Sequence, residues 1–356
     1  MGNKAYLVLE NGKVFCGESF GATGEVTAEV VFTTGMSGYL ETLTEKSFFG
    51  QIVVQTFPLI GNYGVISSDF EGSMIGPSGY IVKEWCQSPS NFRSEGDLDT
   101  FFKERGIIGL CGIDTRSLTK TLRENGVMNG MITSDPEKVD LEKLRTYRVK
   151  DAIVSTSSKT IERYENPDKK AVVAVIDYGM TKSVRTKLEK FGAEVIVCPH
   201  TVTAEEIKAL NVDGIMLSDG PGDPTENTEV IENLKAIMQL GIPMFGICLG
   251  HELLALANGF TTEKLKYGHR GASQPVKNLE NGRVHVTTQN HGYTVVSSSI
   301  DSETADEYFV NVNDKTCEGI RYKKIPAFSV QFNPDASNGT SDTTFLYRDF
   351  FSMMKG

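Results

Sequence analysis

The apolar positions of the first 150 residues fall in short runs broken by glycines and turn pairs. Ala5-Tyr6-Leu7-Val8-Leu9-Glu10, then Asn11-Gly12, then Lys13-Val14-Phe15-Cys16-Gly17 predict a β-hairpin, because Asn-Gly accepts the positive φ of a tight turn. Runs 29–33 and 51–56, rich in β-branched residues, predict two further strands. Glycines 35, 38, 61 and 64 mark loops. From Asp97 the pattern turns helical, and Leu118 and Leu122, four apart, predict a helix over 115–125 that stops at Asn125-Gly126. This half reads as a β-rich α/β domain over 1–150. Residues 151–170, which include Ser155-Thr156-Ser157-Ser158-Lys159 and Glu165-Asn166-Pro167-Asp168-Lys169-Lys170, read as a polar linker.

Beyond the linker, over 171–356, the pattern changes. Ala171-Val172-Val173-Ala174-Val175-Ile176-Asp177 is a continuous apolar run of the kind buried on both faces of a parallel sheet. A helical stretch to about Phe191 follows, then strand 194–198, helix 204–210, strand 214–217, helix 227–240 and a strand entering Phe245. Such alternation predicts right-handed crossovers and a doubly wound sheet, with the site in loops at the carboxyl ends of the strands. At one such end stands Gly246-Ile247-Cys248-Leu249-Gly250-His251-Glu252, and an Ala/Leu-rich helical pattern follows at once. This has the form of a nucleophile elbow, with glycines leaving room at the corner. Helix N-terminal N–H groups beside Cys248 favour a thiolate and can face an oxyanion. A buried structural cysteine is the plain alternative. Ser218-Asp219-Gly220-Pro221-Gly222-Asp223-Pro224 ends the preceding strand. It is a tight turn, or a second source of oxyanion donors, and it lacks the Gly-Lys-Ser/Thr ending of a phosphate loop.

Composition narrows the partners. The chain has 356 residues, 39% hydrophobic and 23% charged, as expected of two soluble domains. A net charge of −10 without a basic stretch argues against nucleic-acid binding. No apolar run reaches spanning length and no signal-peptide core follows Met1, so a cytoplasmic, non-membrane protein is expected. Six scattered cysteines without CxxC pairs suit a reducing compartment and argue against zinc, so no metal site is expected.

Gly220-Pro221-Gly222-Asp223-Pro224 together with Gly246-Ile247-Cys248-Leu249-Gly250-His251 resembles a class I glutamine amidotransferase. More narrowly, the chain resembles the small subunits of carbamoyl-phosphate synthetases. Gly21-Ala22-Thr23-Gly24, Ser37-Gly38-Tyr39, Ile60-Gly61-Asn62-Tyr63-Gly64, Gly112-Ile113-Asp114-Thr115-Arg116, Gly268-His269-Arg270-Gly271 and Gln289-Asn290-His291-Gly292-Tyr293 carry the likeness almost end to end. It implies a flavodoxin-like amidotransferase domain behind the N-terminal domain. It also implies a heterodimer that serves pyrimidine or arginine biosynthesis. In that heterodimer glutamine is hydrolysed to glutamate, and ammonia passes to a large subunit that makes carbamoyl phosphate from bicarbonate and two ATP. ATP and Mg would sit on that large subunit, leaving no cofactor on this chain. By family position Cys248 forms the thioester, and N–H groups near Gly222 and Leu249 form the oxyanion hole. Glutamine would be held by Ser47, Gly220, Gly222, Leu249, Glu252, Asn290, Gly292 and Tyr293, in a pocket between the domains. From the residues alone, Ser47 reads as a solvated loop serine and 290–292 as a turn.

Two positions depart from the family. After the last apolar run, 326–332, the family places His-Pro-Glu, and here stands Asn333-Pro334-Asp335. An amide exchanges no proton near neutrality. Asp335 could orient an imidazole, but the imidazole is missing. Glu252 replaces a glutamine four residues beyond Cys248, where an ionised carboxylate would oppose a thiolate or pair with the substrate's ammonium. The remaining histidines, 200, 251, 269, 285 and 291, do not stand at the base position. Acid–base catalysis supplies about 10²–10⁴-fold, and cysteine keeps roughly a few per cent thiolate unaided. A glutaminase slowed to a residual rate is therefore expected. The alternative is a catalytically inactive structural subunit of an ammonia-dependent synthetase. A free-standing cysteine hydrolase fits worse, because the N-terminal half is family-specific.

Overall fold

The computed structural model describes residues 3–336 and 339–355. The chain divides between Lys150 and Asp151 into two compact units. In the first, seven strands close a barrel in the order Lys4–Leu9, Val14–Gly21, Ile108–Cys111, Gly79–Ile81, Gln51–Gln55, Val26–Thr33 and Met128–Thr133. The expected hairpin is present, with Gly12 at φ 85 in its turn. Helix Thr115–Asn125 has the expected bounds, is N-capped by Asp114 and ends on Gly126. The helical reading from Asp97 onward missed strands 108–111 and 128–133. Both are short and contain a glycine, and only the closed barrel pairs them on both sides.

The second unit carries one sheet, and ten strands belong to it among the described residues. Its parallel centre runs Ala193–Pro199, Ala171–Asp177, Gly214–Leu217, Met244–Ile247 and Ala327–Val330. Numbered along the chain this is 2-1-3-4-5, the flavodoxin-like order. Alternate residues of each strand serve two cores. Ala174, Ile176, Ile215 and Leu217 pack with Ile207, Leu234 and Leu253 on one face. Val173, Val175, Met216 and Phe245 pack with Val184, Leu188, Tyr347 and Phe350 on the other. Burial on both faces explains why these strands read as unbroken apolar runs.

The expected linker over 151–170 is a correction. Helix Ala152–Thr156 buries Ala152, Ile153 and Thr156, and Glu162–Tyr164 pairs antiparallel with 195–197 as the edge strand of the sheet. The polar composition belongs to an exposed edge, whose cations have a partner: Arg163 Nη1 and Lys169 Nζ lie 2.9 and 2.6 Å from the buried carboxylate of Glu194. Residues 290–292 do not form a turn either. They lie inside strand Val284–Val295, which pairs with the long strand Thr262–Asn278. No described helix is long and apolar enough to cross a membrane.

Candidate active site

Cys248 follows strand Met244–Ile247 and caps helix Leu249–Ala257 with φ 51 and ψ −111. A β-substituted residue at such angles is held under strain, of order 1–3 kcal/mol, by its surroundings. Here the surroundings are rigid. The Cys248 N–H donates to the Val330 carbonyl at 2.9 Å, and its own carbonyl accepts from the N–H groups of His251 and Glu252 at 3.0 and 3.1 Å. Gly250 N–H donates to the Ser218 carbonyl at 3.0 Å, which ties the elbow to the neighbouring strand's loop.

The glycines explain the corner. A Cβ on Gly246 would stand 2.9 Å from the Gly250 carbonyl oxygen, and one on Gly250 would stand 2.4 Å from that of Leu217. Gly→Ala inside a helix ordinarily stabilises by about 1 kcal/mol. At Gly250 the sign should reverse, because backbone must move. Gly250→Ala is expected to lower stability by roughly 1–3 kcal/mol, measured as a fall in the urea midpoint of the second unit; an unchanged midpoint would refute the close-packed elbow.

Other loops at the same sheet edge complete the site. Tyr178 N–H donates to Ser218 Oγ at 3.0 Å, and Thr181 N–H donates to Asp219 Oδ1 at 3.3 Å. Gly220 has no room for a side chain, since a Cβ would lie 2.5 Å from the Tyr178 carbonyl oxygen and 2.9 Å from Leu249 Cδ2. Gly222 has φ 95. Leu249 heads its helix, where N–H groups lack intrahelical acceptors. Cys248 Sγ donates to the Asn290 carbonyl at 3.6 Å. Asn333 follows the strand adjacent to the elbow strand, and its N–H donates to the Thr288 carbonyl at 2.9 Å. Its side-chain Oδ1 is buried without a hydrogen-bond partner. Asp335 Oδ2 accepts from Thr181 Oγ1 at 3.5 Å.

The structure therefore joins Cys248 to Asn290 by a direct bond and Gly220 to Leu249 by packing, while Asn333 is tied to Thr288 on the Asn290 strand and Asp335 to Thr181. Gly222 lies in the Gly-Pro-Gly turn. Gly292 and Tyr293 continue the Asn290 strand, with Lys264 Nζ 5.9 Å over the Tyr293 ring. Ser47 belongs to the first unit and is buried in the 3-10 turn Lys46–Phe48, not a solvated loop serine. Sequence reasoning overlooked Thr181 and Gln331, which act through hydrogen bonds and leave no spacing signal.

Glu252 departs from the expected opposing charge. It is buried, and its Oε1 accepts from Gln331 Nε2 at 3.0 Å. Burial pushes its carboxyl up to about 8, the Gln331 bond pulls down and Asp223 pushes up, so near neutrality the group is mostly uncharged. His251, His269 and His291 each have partners of their own. His251 Nδ1 is bonded to Ser329 Oγ at 2.7 Å, and burial holds the ring down to about 3. His291 is neutral, lowered by burial and by neighbouring cations. It is bonded to the Tyr293 carbonyl and to Gln289 Oε1 at 2.6 and 3.0 Å. His269 would fall through burial, but the bond to Asp314 and the nearby Glu318 carboxylate carry it to about 9.

Residues 7–132 match the carbamoyl-phosphate synthase small chain, CPSase domain, and residues 174–353 match the class-I glutamine amidotransferase family. The carbamoyl phosphate synthase small chain of Bacillus cereus is 47% identical over 354 residues, 99% of this chain and 96% of that one. The chain belongs to the carbamoyl-phosphate synthase small-chain family. The pyrimidine-specific small chain of Bacillus subtilis is 46% identical over 99% of this chain and 96% of its own. The carbamoyl phosphate synthase small chain of Listeria monocytogenes is 44% identical over 99% of this chain and 97% of its own. The family is one of glutamine-hydrolysing enzymes, and the second unit is its amidotransferase domain.

Proposed function

We propose that this chain binds glutamine and delivers ammonia to a large, ATP- and Mg-dependent synthetase subunit, at a rate limited by the missing histidine. The Cys248 thiolate attacks the side-chain amide carbon. The oxyanion faces N–H groups near Gly222 and Leu249, and collapse expels ammonia with a proton, leaving a thioester. Water then attacks the thioester, releases glutamate and returns the thiol. Both halves need a group that takes and returns a proton, and Asn333 cannot. The observation that carries this reading is Cys248 at a strained elbow with Sγ directed to the Asn290 carbonyl. Asn290, Gly292, Tyr293 and Glu252 would hold the substrate, with Glu252 free to receive an ammonium when it ionises. Ser47 joins them by family position alone. The setting would be cytoplasmic.

The Asn333 turn also favours a second reading, a non-catalytic subunit that supports an ammonia-using synthetase. Glutamine consumption by the reconstituted pair, compared with its activity on free ammonia, separates the two. The expected result is glutamine-dependent synthesis about 10²–10⁴-fold below the ammonia-dependent rate and eliminated in Cys248→Ser. Synthesis that is equal from both sources would overturn the impairment. A glutamine rate indistinguishable from Cys248→Ser would establish the structural role.

A further inference from the structure

Independently of the glutamine site, His269, His291 and Glu318 bring one ligand atom each to within 4.8 Å of one another, all three buried. They come from three strands, so no sequence spacing announces them. The donors and acceptors around them do not balance. Gln289 Nε2 donates to Glu318 Oε2 at 2.9 Å and to Thr287 Oγ1 at 3.1 Å, which fixes its amide orientation. Its Oε1 therefore faces His291 Nε2, 3.0 Å away. The Nδ1 of the same ring meets the Tyr293 carbonyl at 2.6 Å, so both ring nitrogens face acceptors and a single N–H can serve only one of them. His269 Nε2 lies 2.7 Å from Asp314 Oδ2, whereas its Nδ1 is buried without a hydrogen bond, 3.5 Å from Glu318 Oε1. Glu318 is fully buried, and Asn311 Nδ2 fixes its Oε1 at 2.9 Å.

Each ring thus faces an acceptor at both nitrogens, which calls for a second proton on the ring or a metal ion in its place. We propose that His269 Nδ1, His291 Nε2 and Glu318 Oε1, with Gln289 Oε1 as a fourth donor, form a site for a divalent ion of the zinc class. Two imidazoles and a carboxylate suit that class. The His269–Glu318 separation of 3.5 Å matches the roughly 3.4 Å edge of a tetrahedron with bonds of about 2.0–2.1 Å. Both histidines already carry the outer partner that metal ligands usually have, a carboxylate on His269 and a backbone carbonyl on His291. Asp314 is partly exposed and gives the ion a way in. Arg270 is a nearby cation that opposes binding, and its Nη1 is turned onto the Tyr267 carbonyl at 2.8 Å. An ion here would clamp the strand on either side of Asn290, the residue whose carbonyl meets Cys248 Sγ. The scattered cysteines had argued against zinc, but an all-N/O site escapes that reasoning.

The test is Co²⁺ titration of the full chain in mildly alkaline buffer, since the imidazoles must be deprotonated to ligate. One equivalent is expected to bind with the visible bands of a four-coordinate ion, undiminished in Cys248→Ala. Glu318→Gln and His269→Asn, checked for native circular dichroism, should lose it, and Asp314→Asn should weaken it by about 10–100-fold. X-ray absorption of the Zn²⁺-loaded wild-type chain needs no variant and should show two imidazoles and no sulfur. Failure of saturable one-to-one uptake, uptake lost in Cys248→Ala, uptake retained in both folded ligand variants, or a sulfur shell would each overturn the proposal.

Discussion

Asn333→His is expected to raise glutamine hydrolysis by about 10²–10⁴-fold, the range that a positioned acid–base group supplies. Asn333 is anchored by its own N–H to the Thr288 carbonyl, so the exchange leaves the backbone bond in place. The amide oxygen it removes is buried and makes no hydrogen bond, so nothing is lost with it. Asp335, two residues on, offers a carboxylate to steer an imidazole once its bond to Thr181 yields. Steady-state ammonia release by the variant should show a limb near the ordinary histidine range, about pH 6–7, that the parent chain lacks. Asn333→Gln should give no gain, which separates proton transfer from a mere change of side-chain size. If Asn333→His also gives none, and the variant with Glu252→Gln added stays equally slow, the missing base is not the main defect and the proposed cause of impairment fails.

Much of this was legible in the sequence because the signals were local. The elbow is a single stretch from a fully buried strand into a helix, and its glycines sit against backbone oxygens that leave no alternative residue. Strands 171–177 and 214–217 and helix 204–210 have the bounds that periodicity gave them. What stayed hidden depends on tertiary pairing. Residues 151–170 look like a linker because an edge strand is polar, and only the Glu194 partner reveals its place. Asn290-His291-Gly292 carries turn-like residues, yet Asn290 and His291 pair with Arg270 and His269 inside a strand. The charge state of Glu252 was misjudged for a related reason. Sequence places it at a helix start, where a carboxylate is comfortable, but gives no warning that the side chain is sealed from water.

That burial makes Glu252→Gln the second large effect, and its sign depends on pH. In the unfolded chain the carboxyl ionises near 4.5, and in the folded protein near 8. Between those values the folded state holds a proton that the unfolded state has released, so stability falls as pH rises through this window. The shift corresponds to on the order of 5 kcal/mol once both states are ionised. Gln331 reinforces the sign. Its Nε2 already donates to Glu252, while its Oε1 is buried without a partner, and only a protonated carboxyl brings an O–H to it. Glutamine at 252 brings an N–H instead, at every pH. The variant should therefore melt close to the parent at about pH 5 and several degrees above it at about pH 9, followed by circular dichroism across the range. A constant gap between the two melting temperatures would mean that Glu252 is not held neutral by its surroundings. The opposing charge expected from sequence would then be restored as a second brake on Cys248.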